Sequence, residues 1–342
     1  MTDSKKQPSD RQASTKKSKH GDLVDRIKES ADKLASDGSS RGDLKLLSRT
    51  LRELRYGFKV FAPYRRHRKV TVFGSARTPE DDPAYGQAVQ FGQAMAAADW
   101  LVITGAASGI MEAGHRGAGR ENSMGLNIML PFEQDANPVI DGDHKLVHMK
   151  YFFTRKVMFV KECDAVVCLP GGFGTLDEGL EVLTLLQTGK RDMVPIVLLD
   201  SPGGDYWSML HDFIVNRLLR DRLISRQDLS LYKLTDDCEV AIKEVLHFYS
   251  NYHSMRYVRN KLVFRIQRRL SDHLLADINE HFSDILHSGV FEQSDALPAE
   301  ASETELAHLP RLVFNFDRRN HGRLRELIDC INAEDVTSAS KS

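Results

Sequence analysis

Short apolar runs alternate with helix-like segments between residues 70 and 200, and this alternation restricts the chain to few folds. The runs are VTVFG (70–74), WLVIT (100–104), LNIML (126–130), KLVHM (145–149), AVVCL (165–169) and VPIVLLD (194–200). Continuous apolar strands of this kind are typical of parallel sheets that are buried on both faces. Because crossovers between parallel strands are right-handed, the pattern predicts an α/β fold, a Rossmann-like doubly wound parallel sheet.

Helical patterns fill the intervals of this sheet and follow its last strand. The predicted helices are 83–98, GIMEAGHRGAG (109–119), 153–162, 175–188, 207–223 and 237–249. After residue 251 the alternation changes, which predicts a small α+β appendage. Its expected strands are KLVFRI (261–266), GVF (289–291) and RLVFNF (311–316), with helices over 270–286 and up to about residue 331.

The chain therefore divides into five predicted segments. These are a polar, basic and disordered tail (1–42), a lead-in helix (43–69), the Rossmann-like domain (70–250), the appendage (251–333) and a second disordered tail (334–342).

The composition excludes several classes of protein. The formal net charge is −1 over 342 residues, so no global field points to nucleic acid or a membrane surface. No apolar run approaches the ~20 residues of a membrane helix, and the polar N-terminal stretch lacks the apolar core of a secretory signal. The four cysteines form no CxxC pair, which is typical of reduced, buried thiols. We therefore expect a cytoplasmic protein that binds neither membranes nor nucleic acid.

The stretch LPGGFGTLDE (169–178) follows a predicted buried strand and opens a helix. Gly171, Gly172 and Gly174 would allow positive φ angles and a close approach of backbone amides to an anion. The helix N-terminus adds unpaired N–H groups and a partial positive charge, and Thr175 could cap the helix or donate its hydroxyl to the same anion. The pattern predicts a phosphate site, and the alternative is a tight turn with no ligand.

Two familiar phosphate loops do not fit this chain. A Walker A loop requires GxxxxGK before Ser or Thr, and no lysine precedes Thr175; a dinucleotide fingerprint requires GxGxxG after the first strand. The loops GSAR (74–77) and TGAASGIMEAG (104–114) follow other strands, so their small residues are expected on the same rim of the sheet. These residues are Gly74, Ser75, Gly105, Ser108 and Gly109.

The segment PGGFGTLDE fits the pattern PGGxGTxxE, and TRKVMF lies upstream with adjacent Arg155 and Lys156. Together these motifs resemble the LOG ("Lonely Guy") family, long mislabelled as lysine decarboxylases, over residues 70–223. The resemblance implies a Rossmann-like phosphoribohydrolase that cleaves the N-glycosidic bond of nucleoside 5′-monophosphates such as AMP or cytokinin riboside monophosphates. It also implies a homodimer that completes the active site, and no cofactor.

The resemblance also implies residue roles. Arg155 and Glu178 would be catalytic, and Glu178 would stabilise positive charge growing on the ribose and orient or deprotonate the attacking water. The 5′-phosphate would lie against Gly171, Gly172, Gly174 and Thr175. Further substrate contacts are expected from Lys156, Glu181, Gly74, Ser75, Ser108, Gly109 and Met111, the last of which could instead be core.

Alternative functions remain open at this stage. A non-catalytic nucleotide-binding or sensing protein could use the same pocket, and an amino-acid decarboxylase would need a lysine that carries pyridoxal phosphate. The 13 histidines include no HExxH or similar zinc spacing, so no metal is expected, although His115, His144 and His148 fall near the crevice by sequence.

Overall fold

A computed structural model describes residues 21–130 and 135–334. The helices are α1 (Gly21–Ser36), α2 (Arg41–Phe61), α3 (Pro83–Ala97), α4 (Ile110–Ala118), α5 (Phe152–Glu162), α6 (Phe173–Gln187), α7 (Tyr206–Phe213), α8 (Cys238–His247), α9 (Asp272–His281) and α10 (His321–Ala333). The strands are β1 (Lys69–Phe73), β2 (Leu101–Thr104), β3 (Ser123–Ile128), β4 (Leu146–Met149), β5 (Ala165–Cys168), β6 (Ile196–Leu199), β7 (Lys233–Thr235), β8 (Tyr252–Val258), β9 (Lys261–Ile266), β10 (Leu286–Ser294) and β11 (Arg311–Phe316).

The first seven strands form one parallel sheet in the order β4-β3-β2-β1-β5-β6-β7, which confirms the predicted α/β fold. The chain moves outward from β1 to β4 and then returns to place β5 beside β1. This reversal creates a topological switch point between β1 and β5, where ligands bind in doubly wound sheets. The loops GSAR and PGGFG follow these two strands.

Both faces of the parallel sheet are buried, as its uninterrupted apolar strands predict. Side chains of α3, α4 and α8 pack on one face, in a core that includes Phe91, Ile110 and Val245. On the other face, α5 and α6 contribute Phe159 and Val182 to a second core.

The second sheet is antiparallel, in the order β10-β11-β9-β8. It forms the predicted α+β appendage, but its inward side chains, such as Phe264 and Phe314, belong to the same core as α5 and α6. Strand β10 runs over nine residues, where the sequence indicated only GVF. Strands β7 and β8 were not predicted, because their residues alternate or mix polar and apolar side chains at sheet edges.

Two compact units divide the chain between residues 53 and 54, and α2 crosses this division. Within the first unit, α1 lies in the predicted tail of residues 1–42, where the sequence also indicated a weak helix around Leu23 to Leu34. Ion pairs from Lys28 to Asp25 and from Lys33 to Glu29, at helical spacing, support this helix. Residues 1–20, and 335–342 of the second predicted tail, lie outside the described residues. In the part of the chain that is described, no helix has the length and apolar character needed to cross a membrane.

Candidate active site

A cleft with a volume of about 620 Å³ opens at the switch point between β1 and β5. Its walls come from the loops after β1, β2 and β5 and from the facing sides of α5 and α6. Most of the residues that the sequence nominated line it, namely Gly74, Ser75, Gly105, Met111, Arg155, Gly172, Gly174, Thr175 and Glu178.

Two hydrogen bonds from neighbouring segments fix backbone carbonyls of the glycine loop. The Ser75 N–H donates to the Pro170 carbonyl at 3.1 Å, and the Tyr206 hydroxyl donates to the Gly171 carbonyl at 2.6 Å. In a trans peptide the C=O and N–H groups point in opposite directions. Anchoring these carbonyls therefore turns the N–H groups of Gly171 and Gly172 away from their anchors, and Gly172 lies in the cleft wall.

The three loop glycines serve different purposes. A Cβ on Gly171 would come within 2.2 Å of Thr175 Oγ1 and 3.0 Å of the Ser75 nitrogen, so close packing requires glycine there. A Cβ on Gly172 or Gly174 would meet nothing within 4 Å. The expected positive φ angles are wrong, since none of the three has one. Gly172 and Gly174 are thus required neither by packing nor by backbone conformation, and the space they leave belongs to the cleft.

Helix α6 begins at Phe173, two residues earlier than predicted, with Gly172 as its N-cap. No side chain caps this end, so the proposed capping role of Thr175 is wrong. Thr175 instead lies buried in the first turn, where its N–H donates to the Gly172 carbonyl. The absence of a side-chain cap leaves first-turn N–H groups, with their partial positive charge, available beside the cleft.

Glu178 lies one turn further along α6 and is only 4% exposed. Burial raises the pKa of its carboxyl, while Lys156 and Arg155 oppose this shift. The side chain is thus a carboxylate in a poorly solvated position, which is typical of acid–base groups in active sites.

Lys156 contacts carboxylates and does not line the cleft. Its Nζ lies 2.8 Å from Asp177 Oδ2, 3.4 Å from Glu178 Oε2 and 3.9 Å from Glu181 Oε2. The Lys156 ammonium lowers the pKa of Glu178 and so opposes the effect of burial. Neither Lys156 nor Glu181 lines the cleft, and ion pairs between α5 and α6 engage both residues.

Arg155 projects from α5 into the cleft. The central carbon of its guanidinium lies 5.1 Å from the centroid of the Phe152 ring and 5.7 Å from that of Phe159, within cation–π distance of both rings. Its buried Nε has no hydrogen-bond partner among the described residues. Burial lowers the pKa of this arginine and Glu178 opposes the shift, but a guanidinium stays protonated in proteins. An unpaired cationic donor thus lies close to Glu178.

Three further residues that the sequence nominated, Ser108, Gly109 and Gly171, lie next to the β1 loop and do not line the cleft. Ser108 Oγ donates to the Ala76 carbonyl at 2.9 Å, and Gly109, at φ +63°, packs against the backbone of Ser75. Both support the loop without lining the cleft. Gly171 likewise supports the loop without lining the cleft, since it packs against Thr175 and the Ser75 nitrogen. The neighbouring Met111 does line the cleft, as proposed.

Sequence reasoning missed several lining residues. Arg77 lies in the GSAR motif two positions after Ser75, and an arginine on a ligand-binding loop was the available signal. Phe173, 93% exposed at the start of α6, lines the rim, and Phe73, Ala76 and Phe159 complete the walls. Their positions depend on packing between loops, which no local pattern reveals.

The three histidines near the crevice by sequence do not line it. His115 is fully buried, and its Nε2 lies 3.0 Å from both Thr104 Oγ1 and the Met124 carbonyl oxygen. Burial lowers its pKa to about 4, so it is a neutral structural histidine. His144 pairs with Asp143, and His148 lies on β4.

Comparisons with known proteins bear on the same region. Residues 105–245 match the family model described as "Possible lysine decarboxylase". Among curated proteins, the chain is 31% identical over 154 residues to a probable cytokinin riboside 5′-monophosphate phosphoribohydrolase, LOGL2, of Oryza sativa subsp. japonica, covering 44% of this chain and 60% of the relative. It is 34% identical over 114 residues to cytokinin riboside 5′-monophosphate phosphoribohydrolase LOG4 of Arabidopsis thaliana, covering 33% of this chain and 50% of the relative. The chain therefore spans 50% to 60% of the length of these relatives.

Among solved structures, the molybdenum cofactor carrier protein of Chlamydomonas reinhardtii is 20% identical, with a TM-score of 0.38, covering 53% of this chain and 99% of that chain. The assignment of the fold rests instead on the observed order of the parallel strands. The PGGxGTxxE loop, Arg155 and Glu178 lie in one cleft, and the similarity of this region to the family model and to the curated LOG relatives supports a LOG-family protein.

Proposed function

We propose that this protein hydrolyses the N-glycosidic bond of a nucleoside 5′-monophosphate to the free base and ribose 5-phosphate. The observation that carries the proposal is the position of Glu178, buried one helical turn after a glycine loop whose Gly172 and Gly174 leave open space. A phosphate bound at this loop would set the ribose beside the carboxylate. The names of the curated relatives support the same class of reaction.

In this reaction the C1′–N bond breaks and the base leaves with the bonding electron pair, while positive charge grows on the ribose. Glu178 stabilises that charge and takes a proton from the water that attacks C1′. The water oxygen becomes the hydroxyl on C1′, and the proton is finally carried by the base. Arg155, which contacts the Phe152 and Phe159 rings, favours the ionised form of Glu178 through its charge and offers donors to the ribose hydroxyls.

The substrates we favour are AMP and N6-substituted adenine nucleotides. Met111, Phe159 and Phe173 provide apolar surface within the cleft for a planar base. The phosphate and the ribose would occupy the polar side, next to α6.

The alternative chemistry of a decarboxylase does not fit the cleft. Pyridoxal phosphate would require a lysine in its walls. The described lining contains two arginines and no lysine, and the nearest candidate, Lys156, is paired with three carboxylates.

A panel of nucleoside 5′-monophosphates tests the proposal, with the matching nucleosides as controls and the released base measured by chromatography. We expect base and ribose 5-phosphate in equal amounts from the monophosphates, and far slower release from nucleosides. Equal consumption of nucleosides would contradict a phosphate-anchored reaction. Nucleotide binding without base release would instead favour a non-catalytic nucleotide-binding protein.

We further propose that the protein acts as a homodimer through the outer surface of α5 and α6. Four apolar side chains there are between 45% and 53% exposed, namely Phe152, Phe153, Val157 and Leu180. The ion pairs of Lys156 join the two helices, so this surface borders the cleft. An exposed apolar surface beside an active site is typical of a protein interface.

A further inference from the structure

Two arginines line the cleft, and their surroundings differ. Arg155 lies within cation–π distance of the Phe152 and Phe159 rings and interacts electrostatically with Glu178. Arg77 comes from the β1 loop and is exposed. Among the described residues, the Arg77 guanidinium has neither an ion pair nor a hydrogen bond, whereas the nearby Arg116 is bound by both carboxylate oxygens of Glu80.

The backbone that carries Arg77 is firmly held, although its side chain is free. The Arg77 N–H donates to Ser75 Oγ at 3.0 Å, and the Ala76 carbonyl accepts from Ser108. The Ser75 carbonyl accepts from the Ile110 N–H, and the Ser75 N–H donates to Pro170 in the glycine loop. Arg77 therefore projects from a loop that is tied directly to the predicted phosphate site.

The charges around the two arginines favour different roles for them, with Arg155 balancing the Glu178 carboxylate and Arg77 available to an anion. Lys156 and Arg155 are the cations with the largest effect on Glu178, so Arg155 already balances the carboxylate. A phosphate carries a charge of about −2 near neutral pH, and placing it between Arg155 and Glu178 would bring like charges together. A site between Arg77 and the uncapped first turn of α6 avoids this repulsion and adds N–H donors.

We infer that Arg77 is the phosphate-recognition residue of this cleft, holding the 5′-phosphate against the first turn of α6, while Arg155 serves the ribose and Glu178. This inference rests on the proposed function for the identity of the whole substrate, but phosphate binding can be measured without catalysis. It makes Arg77, outside the PGGxGTxxE motif, the residue that sets the preference for phosphorylated over unphosphorylated substrates.

The test uses the full chain and the variants Arg77→Ala, Arg77→Lys and Arg155→Ala, with Arg116→Ala as a matched control outside the cleft. Calorimetry measures the binding of ribose 5-phosphate and of ribose. For Arg77→Ala we expect at least a tenfold loss of affinity for ribose 5-phosphate, partial recovery in Arg77→Lys, and no change in Arg116→Ala. In turnover assays, Arg77→Ala should raise KM for the monophosphate at least tenfold with kcat within about threefold, while Arg155→Ala should mainly lower kcat.

Each outcome decides the matter. Unchanged binding of ribose 5-phosphate by Arg77→Ala overturns the inference, as does a loss of kcat with normal binding. If the wild-type protein binds ribose 5-phosphate through Arg77 but releases no base from any nucleotide, the inference stands and the proposed hydrolase fails. If the wild-type protein does not bind ribose 5-phosphate at all, the inference fails, whereas the proposed hydrolase is still judged by base release from the monophosphates.

Discussion

Glu178 combines a buried position with a charge that the proposed reaction requires. Its pKa is raised by burial, so ionisation is less favourable in the folded chain than in the unfolded chain. By linkage, its contribution to stability is present below the ordinary glutamate pKa of 4.5 and is lost as pH rises through the raised value. The carboxylate that serves the chemistry therefore destabilises the fold near neutral pH.

Glu178→Gln separates these two effects. We expect kcat to fall by at least about 100-fold, because the glutamine amide can neither take a proton nor balance ribose charge. The melting temperature at pH 7 should stay equal or rise, and this gain should disappear toward pH 4, where the wild-type carboxyl is protonated. Thermal unfolding across a pH series, with base release assayed in parallel, measures both effects. Full activity in the variant would remove Glu178 from the mechanism.

In the wild-type protein, kcat/KM should decrease on the acidic side of its pH profile with an apparent pKa above 4.5, because burial raises the pKa of Glu178.

Tyr206 holds the glycine loop through one oxygen atom, which makes Tyr206→Phe a nearly isosteric test. Loss of the hydrogen bond to the Gly171 carbonyl should cost about 1 kcal/mol of stability and loosen the orientation of the Gly172 amide. Affinity for ribose 5-phosphate should fall about three- to tenfold, with ribose binding unchanged. Wild-type affinity in this variant would show that the amide keeps its orientation without the tyrosine.

At the scale of elements, α6 and its preceding loop were largely predictable. The run AVVCL, followed by PGGFG and an amphipathic segment, indicated a strand, a turn and a helix within two residues of their observed bounds. Which glycine serves which purpose was not predictable. That distinction depends on Ser75 and Thr175 closing around Gly171, a contact between loops far apart in the chain.

Alanine substitutions in this loop should separate packing from ligand binding. Gly171→Ala forces Thr175 and the Ser75 backbone to shift, and we expect it to lose about 1–3 kcal/mol of stability. Gly174→Ala meets no atom within 4 Å and lies in a helix, so stability should be unchanged or slightly higher. Its added methyl should nevertheless weaken ribose 5-phosphate binding. Denaturant unfolding and calorimetry on both variants provide the comparison, and a stable Gly171→Ala would contradict the packing argument.

The whole molecule joins the parallel sheet to the antiparallel sheet through one core. Phe264 and Phe314 of the second sheet share this core with Phe159 and Val182. A buried charge network also lies in the second sheet region, where Glu300 pairs with Arg265 and Arg311. Isolated charged residues in a sequence are normally expected at the surface, so this network was not foreseen.

Assembly belongs to the same scale. If α5 and α6 form a dimer interface, Val157→Asp should yield a monomer in analytical ultracentrifugation, because a charge there would be buried without a partner. Base release by Val157→Asp should fall together with the loss of dimerisation if the partner subunit completes the site. Val240→Asp is the matched control, since Val240 is similarly exposed on α8, which covers the opposite face of the sheet. A wild-type monomer that is fully active would refute the dimer.

Local patterns alone determined the alternation of buried strands and helices, the glycine loop at the end of a strand, and the adjacent Arg155 and Lys156 before it. These features follow from short-range physics, since apolar periodicity and glycine content act within a few residues. Tertiary structure decided that Lys156 would pair with α6, that Ser108 and Gly109 would support the β1 loop, and that Arg77 would face the cleft. Such roles depend on which charges and carbonyls meet after the chain reverses at the switch point, and those partners lie dozens of residues apart.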